Sequence, residues 1–213
     1  MKLALDNHDH RIRYFPLMLE NCDVSGVTQY PLPAGYHFTY YRPGDRDAWI
    51  EIEKSAKEFS SWEQGLTAWN TYYEGHDEEL TNRLFFIETD SGEKVATATA
   101  YYDVLGKDTT GSGWLHWVAV KREHQGRGLA RPLISRTLRR LAELEYKRIV
   151  ISTQTVTWVA CKLYMDFGFK PTQESAVKNL HGWCIMKALT NHPCLMNYEP
   201  APKAEVFCIE NCE

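Results

Sequence analysis

The chain has 213 residues, of which 44% are hydrophobic and 24% charged, with a formal net charge of −4; this is enough for one sizeable globular domain with a small appendage. Acidic and basic residues are mixed along the whole length, without the basic stripe that offsets phosphate charge, so nucleic acid is not expected as a partner. No apolar stretch approaches the roughly 20 residues of a membrane span, and MKLALDNHDHRIRYF reaches Asp6 and His8 too soon for a signal-peptide core, so the expected location is the cytoplasm, away from membranes.

Residues 1–35 are rich in turn formers (Ser25-Gly26, Pro31, Pro33, Gly35) and read as an extension packed on the main body. Tyr36 to Tyr41 alternates well enough for a first strand. Pro43-Gly44-Asp45 ends it and opens a helix whose Ala48, Trp49, Ile52 and Ala56 fall at helical spacing. Ser60 and Ser61, with Glu63 and Gln64 three residues on, are capping-box starts for a second helix carrying Leu66, Trp69, Tyr72 and Tyr73. A hairpin follows, with strands Leu84 to Thr89 and Val95 to Tyr101 about an Asp90-Ser91-Gly92 turn. The loop Gly106 to Gly113 leads to Trp114 to Val120, a nearly all-apolar strand of the kind buried on both faces.

After Lys121 to Gly128 comes a long amphipathic helix with Leu129, Leu133, Ile134, Leu138, Leu141 and Leu144 as its buried stripe. Pro132 near its start implies a late helix start or a slight kink. Arg148 to Thr153 reads as a strand, Val156 to Asp166 as a helix closed by Gly168-Phe169, Gly182 to Leu189 as a last strand, and 190–213 as a tail. Such mixing of strands and helices suggests an α+β domain whose sheet is part antiparallel and part parallel; a doubly wound fold needs more regular alternation.

Six cysteines (Cys22, Cys161, Cys184, Cys194, Cys208, Cys212) form no CxxC pair. A disulfide framework is not expected in a chain of this length without a secretion signal. Three of them crowd the last 22 residues with His192, but their irregular spacing favours free thiols over a metal clip, and no metal is expected.

The most informative segment is Gln125-Gly126-Arg127-Gly128-Leu129-Ala130, between a buried strand and an amphipathic helix. A helix N-terminus presents unpaired N–H groups and partial positive charge, so it suits a phosphate. Glycines at 126 and 128 remove side chains that would hold a pyrophosphate off, and Arg122, His124 and Arg127 add charge. Neither Gly-Lys-Ser/Thr nor GxGxxG is present, which argues against the common nucleotide loops. Taken alone, the segment is equally compatible with a tight connection.

The run VAVKREHQGRGLARPL resembles the acetyl-CoA loop of the GNAT acetyltransferases, with pattern Gln/Arg-x-x-Gly-x-Gly/Ala, filled by Gln125, Gly128 and Ala130. A second block, Ala160 to Phe169, resembles that family's later helix ending Leu-Tyr-x-x-x-Gly-Phe. Together they cover about Trp114 to Phe169. The resemblance implies a mixed, mostly antiparallel sheet with a splayed strand pair, flanked by helices. It also implies a domain at 36–190, between the 1–35 extension and a 191–213 tail. One departure is Thr157, seven residues before the block's Tyr164, where the family often has asparagine; a hydroxyl replaces one amide hydrogen bond but not two.

The resemblance further implies N-acetyl transfer from acetyl-CoA to a primary amine by direct transfer in a ternary complex. Backbone amides of Val118, Ala119 and Val120 would bind the pantetheine arm and thioester, Gln125 to Ala130 the pyrophosphate, and Thr157 a further part of the cofactor. Tyr164 matches the family's frequent general acid, with a core tyrosine as the alternative. His116 stands where some members acetylating aromatic amines carry a histidine, and an imidazole suits proton relay; a structural histidine is the equal alternative. Glu53, Glu58 and Asp103 are other candidate bases acting through water. Cys161 reads as packing.

Trp49, Trp62, Trp69, Tyr72, Tyr73, Tyr101 and Tyr102 fall where the family walls its acceptor site; most read as core, though an aromatic pocket suits a small amine with an apolar body. A small-molecule amine is therefore the expected acceptor, with a protein N-terminus or lysine, or a non-catalytic acyl-CoA-binding module, as alternatives. A homodimer is compatible with the sequence.

Overall fold

The structure, a computed structural model, describes residues 8–102 and 111–208; Asp103, Cys212 and most of the Gly106–Gly113 loop lie outside them. In chain order the elements are β1 (Pro16–Asn21), β2 (Tyr36–Tyr40), α1 (Arg46–Ser55), α2 (Trp62–Tyr72), α3 (Asp77–Arg83), β3 (Leu84–Thr89), β4 (Lys94–Tyr101), β5 (Gly113–Val120), α4 (Ala130–Glu143), β6 (Ile149–Gln154), α5 (Trp158–Asp166), β7 (Lys170–Pro171), α6 (Gln173–Lys178), α7 (Leu180–Thr190) and α8 (Lys203–Val206). The class is the expected α+β, with mostly antiparallel strands flanked by helices. The chain divides into two compact units: Cys22–Ile149, and a two-segment unit made of the stretches up to Asn21 and from Val150 onward.

In the 22–149 unit the strands run in the order β2-β3-β4-β5, every neighbour antiparallel. The hairpin forms as its sequence implies: Gly92 takes a positive φ of 88°, and its N–H donates to the Thr89 carbonyl. Strand β4 is KVATATAY, buried along nearly its whole length. Alternation puts Thr97 and Thr99 on one face, where Thr99 meets Tyr73, and alanines on the other. Helix α4 packs on β3, β4 and β5.

Helix α2 starts with a variant of the expected capping box: the N-cap Ser61 accepts from the Gln64 N–H, and the Gln64 side chain reaches back one residue further, accepting from the Ser60 N–H. Gly65 in its first turn lets it approach α1, since a Cβ there would meet Ile50 Cγ2 at 2.6 Å. Helix α1 ends in a Schellman turn, with the Glu58 N–H donating to the Glu53 carbonyl and Lys57 to Lys54. The left-handed position, φ 69°, is filled by Lys57 where glycine is usual. Helix α4 begins at Ala130, so Pro132 is its third residue, where no helical N–H partner exists to lose.

In the two-segment unit the strand order is β6-β1-β7, with β1 antiparallel to β7 through Leu19↔Pro171 and Glu20↔Lys170. The two segments are tied at a second place, by an antiparallel bridge Ile12↔Phe207 and by N–H bonds from Arg13 to Val206 and Cys208 to Arg11. Gly182 to Leu189 is not a strand: it lies within helix α7, whose buried Gly182, Trp183, Ile185 and Met186 recur at three- and four-residue intervals. A short apolar run does not itself distinguish the two periods. Strand β1, with α3 and α6, has no counterpart in the sequence reading. Among the described residues no helix is long and apolar enough to cross a membrane.

Candidate active site

Strand β5 carries the irregularity on which the site depends. On β4, Thr97 faces Ala119 and Thr99 faces His116, so one residue of β4 stands against two of β5, Trp117 and Val118. This is a β-bulge, which leaves its extra residue outside the ladder and bends the strand. Trp117 takes φ 47°, a left-handed conformation unusual for a bulky side chain, with a local cost of about 1–3 kcal/mol. The strand is therefore not buried on both faces as its apolar run implies: Trp114, His116, Trp117 and Val118 are only partly covered, while Ala119 and Val120 return to the interior.

Around the bulge, α1 and α2 supply a mainly aromatic cluster. Trp49, Trp69 and Tyr73 are buried and meet edge to face, and Trp117 packs against Trp49 and Phe59. Of the other expected wall residues, Tyr101 is core, Trp62 and Tyr72 are half-buried against the cluster, and Tyr102 lies beneath the Arg83 guanidinium. The His116 ring stacks on Tyr101 at 4.4 Å, and its Nδ1 lies 3.3 Å from the Tyr73 hydroxyl, itself 2.7 Å from Thr99 Oγ1. Although part of His116 stays accessible, the packed rings desolvate the imidazole and push its pKa down to about 3. It is thus neutral at ordinary pH, able to take a proton but holding it weakly. Burial also raises Tyr73 well above the usual phenol range.

Glu53 projects from α1 into this cluster. It is fully buried, and neither carboxyl oxygen has a hydrogen-bond partner. Burial, with a smaller contribution from Glu58, raises its pKa well above the ordinary value. Glu58 is raised to about 7 by the protein atoms crowding its carboxyl, although the residue as a whole is exposed.

The segment after β5 forms a compact turn. The Gln125 side chain donates to the Val120 carbonyl at 2.9 Å, fastening the turn to the end of the strand. Gly126 and Gly128 take φ 72° and 82°. No atom lies within 4 Å of where a Gly126 Cβ would stand, so the cradle is open on that side. Helix α4 follows with no side-chain cap at Leu129 and no acidic residue in its first turn, so nothing from those positions competes for an anion. Arg127 is positioned by Tyr36, whose hydroxyl accepts from its guanidinium at 3.2 Å and lies 3.0 Å from His124 Nδ1. The sequence reading did not single out Tyr36. These features suit a phosphate or another anion.

The 22–149 unit thus brings together His116, Val118, Ala119, Val120 and the turn Gln125-Gly126-Arg127-Gly128-Leu129-Ala130. The remaining expected residues belong to the two-segment unit. Thr157 is buried at the start of α5, its hydroxyl donating to the Gln154 carbonyl and meeting the Thr153 hydroxyl at 3.1 Å. Tyr164 is 6% exposed on α5, with its ring edge-on to Phe169. Cys161 is fully buried, and burial raises its thiol far above the reactive range. Among the described residues no group of three or more His, Cys, Asp or Glu side chains is placed to hold a metal.

In the 22–149 unit a bulged strand thus runs into a glycine turn and an uncapped helix. Residues 47–169, more than half of the chain, match the Acetyltransferase (GNAT) family. The chain belongs to that family. No curated protein matches the sequence. Among solved structures, a GCN5-related N-acetyltransferase from Sphaerobacter thermophilus is 19% identical with TM-score 0.55, over 76% of this chain and 49% of that one. An acetyltransferase of the GNAT family from Colwellia psychrerythraea is 14% identical with TM-score 0.55, over 77% and 56%. A putative GNAT acetyltransferase from Novosphingobium aromaticivorans is 18% identical with TM-score 0.52, over 76% and 61%. At these identities the likeness is one of fold, and the matched part is about half the length of the first of them.

Proposed function

We propose that the protein transfers the acetyl group of acetyl-CoA to a primary amine of a small molecule, directly, within a ternary complex. The observation that carries the proposal is the continuity of the bulge at Trp117-Val118 with the turn Gln125–Ala130. One stretch of backbone then offers amides to the thioester arm and, a few residues on, to the pyrophosphate.

In this reading the amides of Val118, Ala119 and Val120 hold the pantetheine arm and polarise the thioester carbonyl, with no side chain required. The turn Gln125–Ala130 and the first turn of α4 hold the phosphates, and Thr157 is assigned a further contact by its place in the family pattern. A neutral amine attacks the carbonyl carbon, its excess proton leaves through His116, and the expelled thiolate takes a proton from Tyr164. His116 fits a relay better than a resting base: neutral and weakly basic, and partly accessible, it can take a proton and release it to solvent without retaining it. The acceptor side is a packed aromatic cluster, which favours a small amine over a polypeptide chain.

The test is thermal stabilisation by acetyl-CoA, CoA, ATP and NAD side by side, followed by CoA-thiol release with small amines. Stabilisation by the two CoA ligands alone supports the reading; none from either overturns it. Tyr164→Phe is expected to lower turnover at least tenfold while leaving CoA stabilisation intact. Unchanged turnover removes Tyr164 from the mechanism.

A further inference from the structure

Glu53 is one of four buried polar side chains in the aromatic cluster that lack a hydrogen-bond partner. The others are the indole N–H groups of Trp49 and Trp117 and the hydroxyl of Thr97. They come from three elements that pack on one another, α1, β4 and β5. Trp49 and Glu53 are one helical turn apart on α1, and Trp49 meets Trp117 at 5.5 Å between ring centroids. Thr97 shares the face of β4 from which Thr99 reaches Tyr73. Buried polar groups in native proteins are nearly always paired, because each unpaired one is costly. Of these, Glu53 and the Thr97 hydroxyl can accept, and it is these two that point to a ligand bringing hydrogen-bond donors.

Resting on the acetyl-transfer reading, we infer that Glu53 is the anchor for the acceptor's ammonium group, and that the acceptor is a small primary amine with an apolar, preferably aromatic, body. An alkylammonium has three donors and no acceptor, and Glu53 offers two acceptor oxygens with Thr97 Oγ1 as a third. The rings of Trp49, Tyr73 and Trp117 present faces and edges that suit both the cation and its apolar body. The half-buried Phe59, Trp62 and Tyr72 line the outer side of the same cluster.

The proton balance is definite. In the free protein burial favours the protonated form of Glu53, its titratable surroundings being Glu58 beyond the end of α1, Tyr73 after α2 and, through Tyr73, His116 on β5. When an ammonium enters, the acid releases one proton to solvent and the pair binds as carboxylate and ammonium. When the amine later becomes the nucleophile, its ammonium proton passes to that carboxylate or towards His116. The carboxylate thus selects for charge at binding and need not itself touch the thioester.

The experiment compares benzylamine with its neutral isostere benzyl alcohol, binding to the CoA-saturated protein by titration calorimetry in two buffers of different ionisation enthalpy. Wild type is expected to bind benzylamine at least tenfold more tightly, with close to one proton released per amine. Glu53→Gln, isosteric with the neutral acid, is expected to keep CoA binding while losing both the preference and the proton release. Equal affinity for the two probes, no binding of either, or a preference that survives in Glu53→Gln overturns the inference. The proton count in wild type needs no variant, so a folding defect in the substitution leaves the test intact. If CoA binds and the amine preference is absent, the anchor is wrong and the transferase reading stands; if CoA fails to bind, that reading falls and takes the anchor with it.

Discussion

A buried acid without partners has a measurable effect on folding. Below about pH 4.5, the ordinary carboxyl value, Glu53 is protonated in both the folded and the unfolded chain and its ionisation does not affect stability. Above that pH the unfolded chain releases a proton that the folded chain keeps. Folding then loses about 1.4 kcal/mol per pH unit until the folded pKa is reached. Because burial raises the folded value well above the ordinary one, that slope takes a sizeable part of the stability of a domain this size. Glu53→Gln keeps the shape and removes the ionisation. Urea unfolding at half-unit steps from pH 4 to pH 8 should therefore show the two proteins nearly equal at pH 4, with the variant gaining about 1.4 kcal/mol over wild type per pH unit above pH 4.5 until the folded pKa is reached. Two parallel curves would refute the reasoning, since they require the carboxyl to ionise in place without penalty.

The remaining predictions concern the backbone and the turn. Lys57→Gly should raise stability by about 1 kcal/mol, because glycine accepts the left-handed Schellman position without a Cβ penalty; a lower urea midpoint would contradict this. Gly65→Ala should destabilise by about 1–3 kcal/mol, the new methyl pressing on Ile50 Cγ2; an unchanged urea midpoint would contradict this. Gly126→Ala meets no atom of the protein, so its cost to folding should be limited to backbone strain of about 1 kcal/mol. Stabilisation by CoA should fall sharply, as the methyl would occupy the cradle; undiminished stabilisation would place the pyrophosphate elsewhere.

What the sequence disclosed depended on whether local chemistry decided the outcome. The β3–β4 hairpin was legible because alternation and a Ser-Gly turn agree. The start of α2 was legible because Ser60, Ser61 and Gln64 satisfy one another, and the turn 125–130 because its glycines serve a backbone geometry. The strand expected at Gly182 to Leu189 is part of helix α7 because those eight residues are apolar enough for either period, and only packing against the two-segment core decides. The short β1 gave little periodic signal because Met18, between the buried Leu17 and Leu19, is apolar too, and its pairing with β7 joins residues far apart in the chain. The bulge was hidden because Trp117 is an ordinary apolar residue by composition, whereas bulges of this backbone form favour glycine. Glu53 did leave a trace. It stands one turn after Trp49 and one turn before Ala56, a charge on the stripe that the same helix buries.

The two-segment unit also bears on the order in which the chain folds. Its β1–β7 pairing and the Ile12↔Phe207 bridge each join residues separated by the whole of the 22–149 unit. The 22–149 unit is continuous in sequence and its strand neighbours β3-β4-β5 are close along the chain, so its loops close early and at small entropic cost. On a ribosome that unit is complete before β6 and β7 have been made, and β1 waits unpaired until they emerge. The apolar side of β1, Leu17 and Leu19, is then the part of the nascent chain most exposed to mispairing, and the folding of the two-segment unit becomes the step on which the yield of active protein depends.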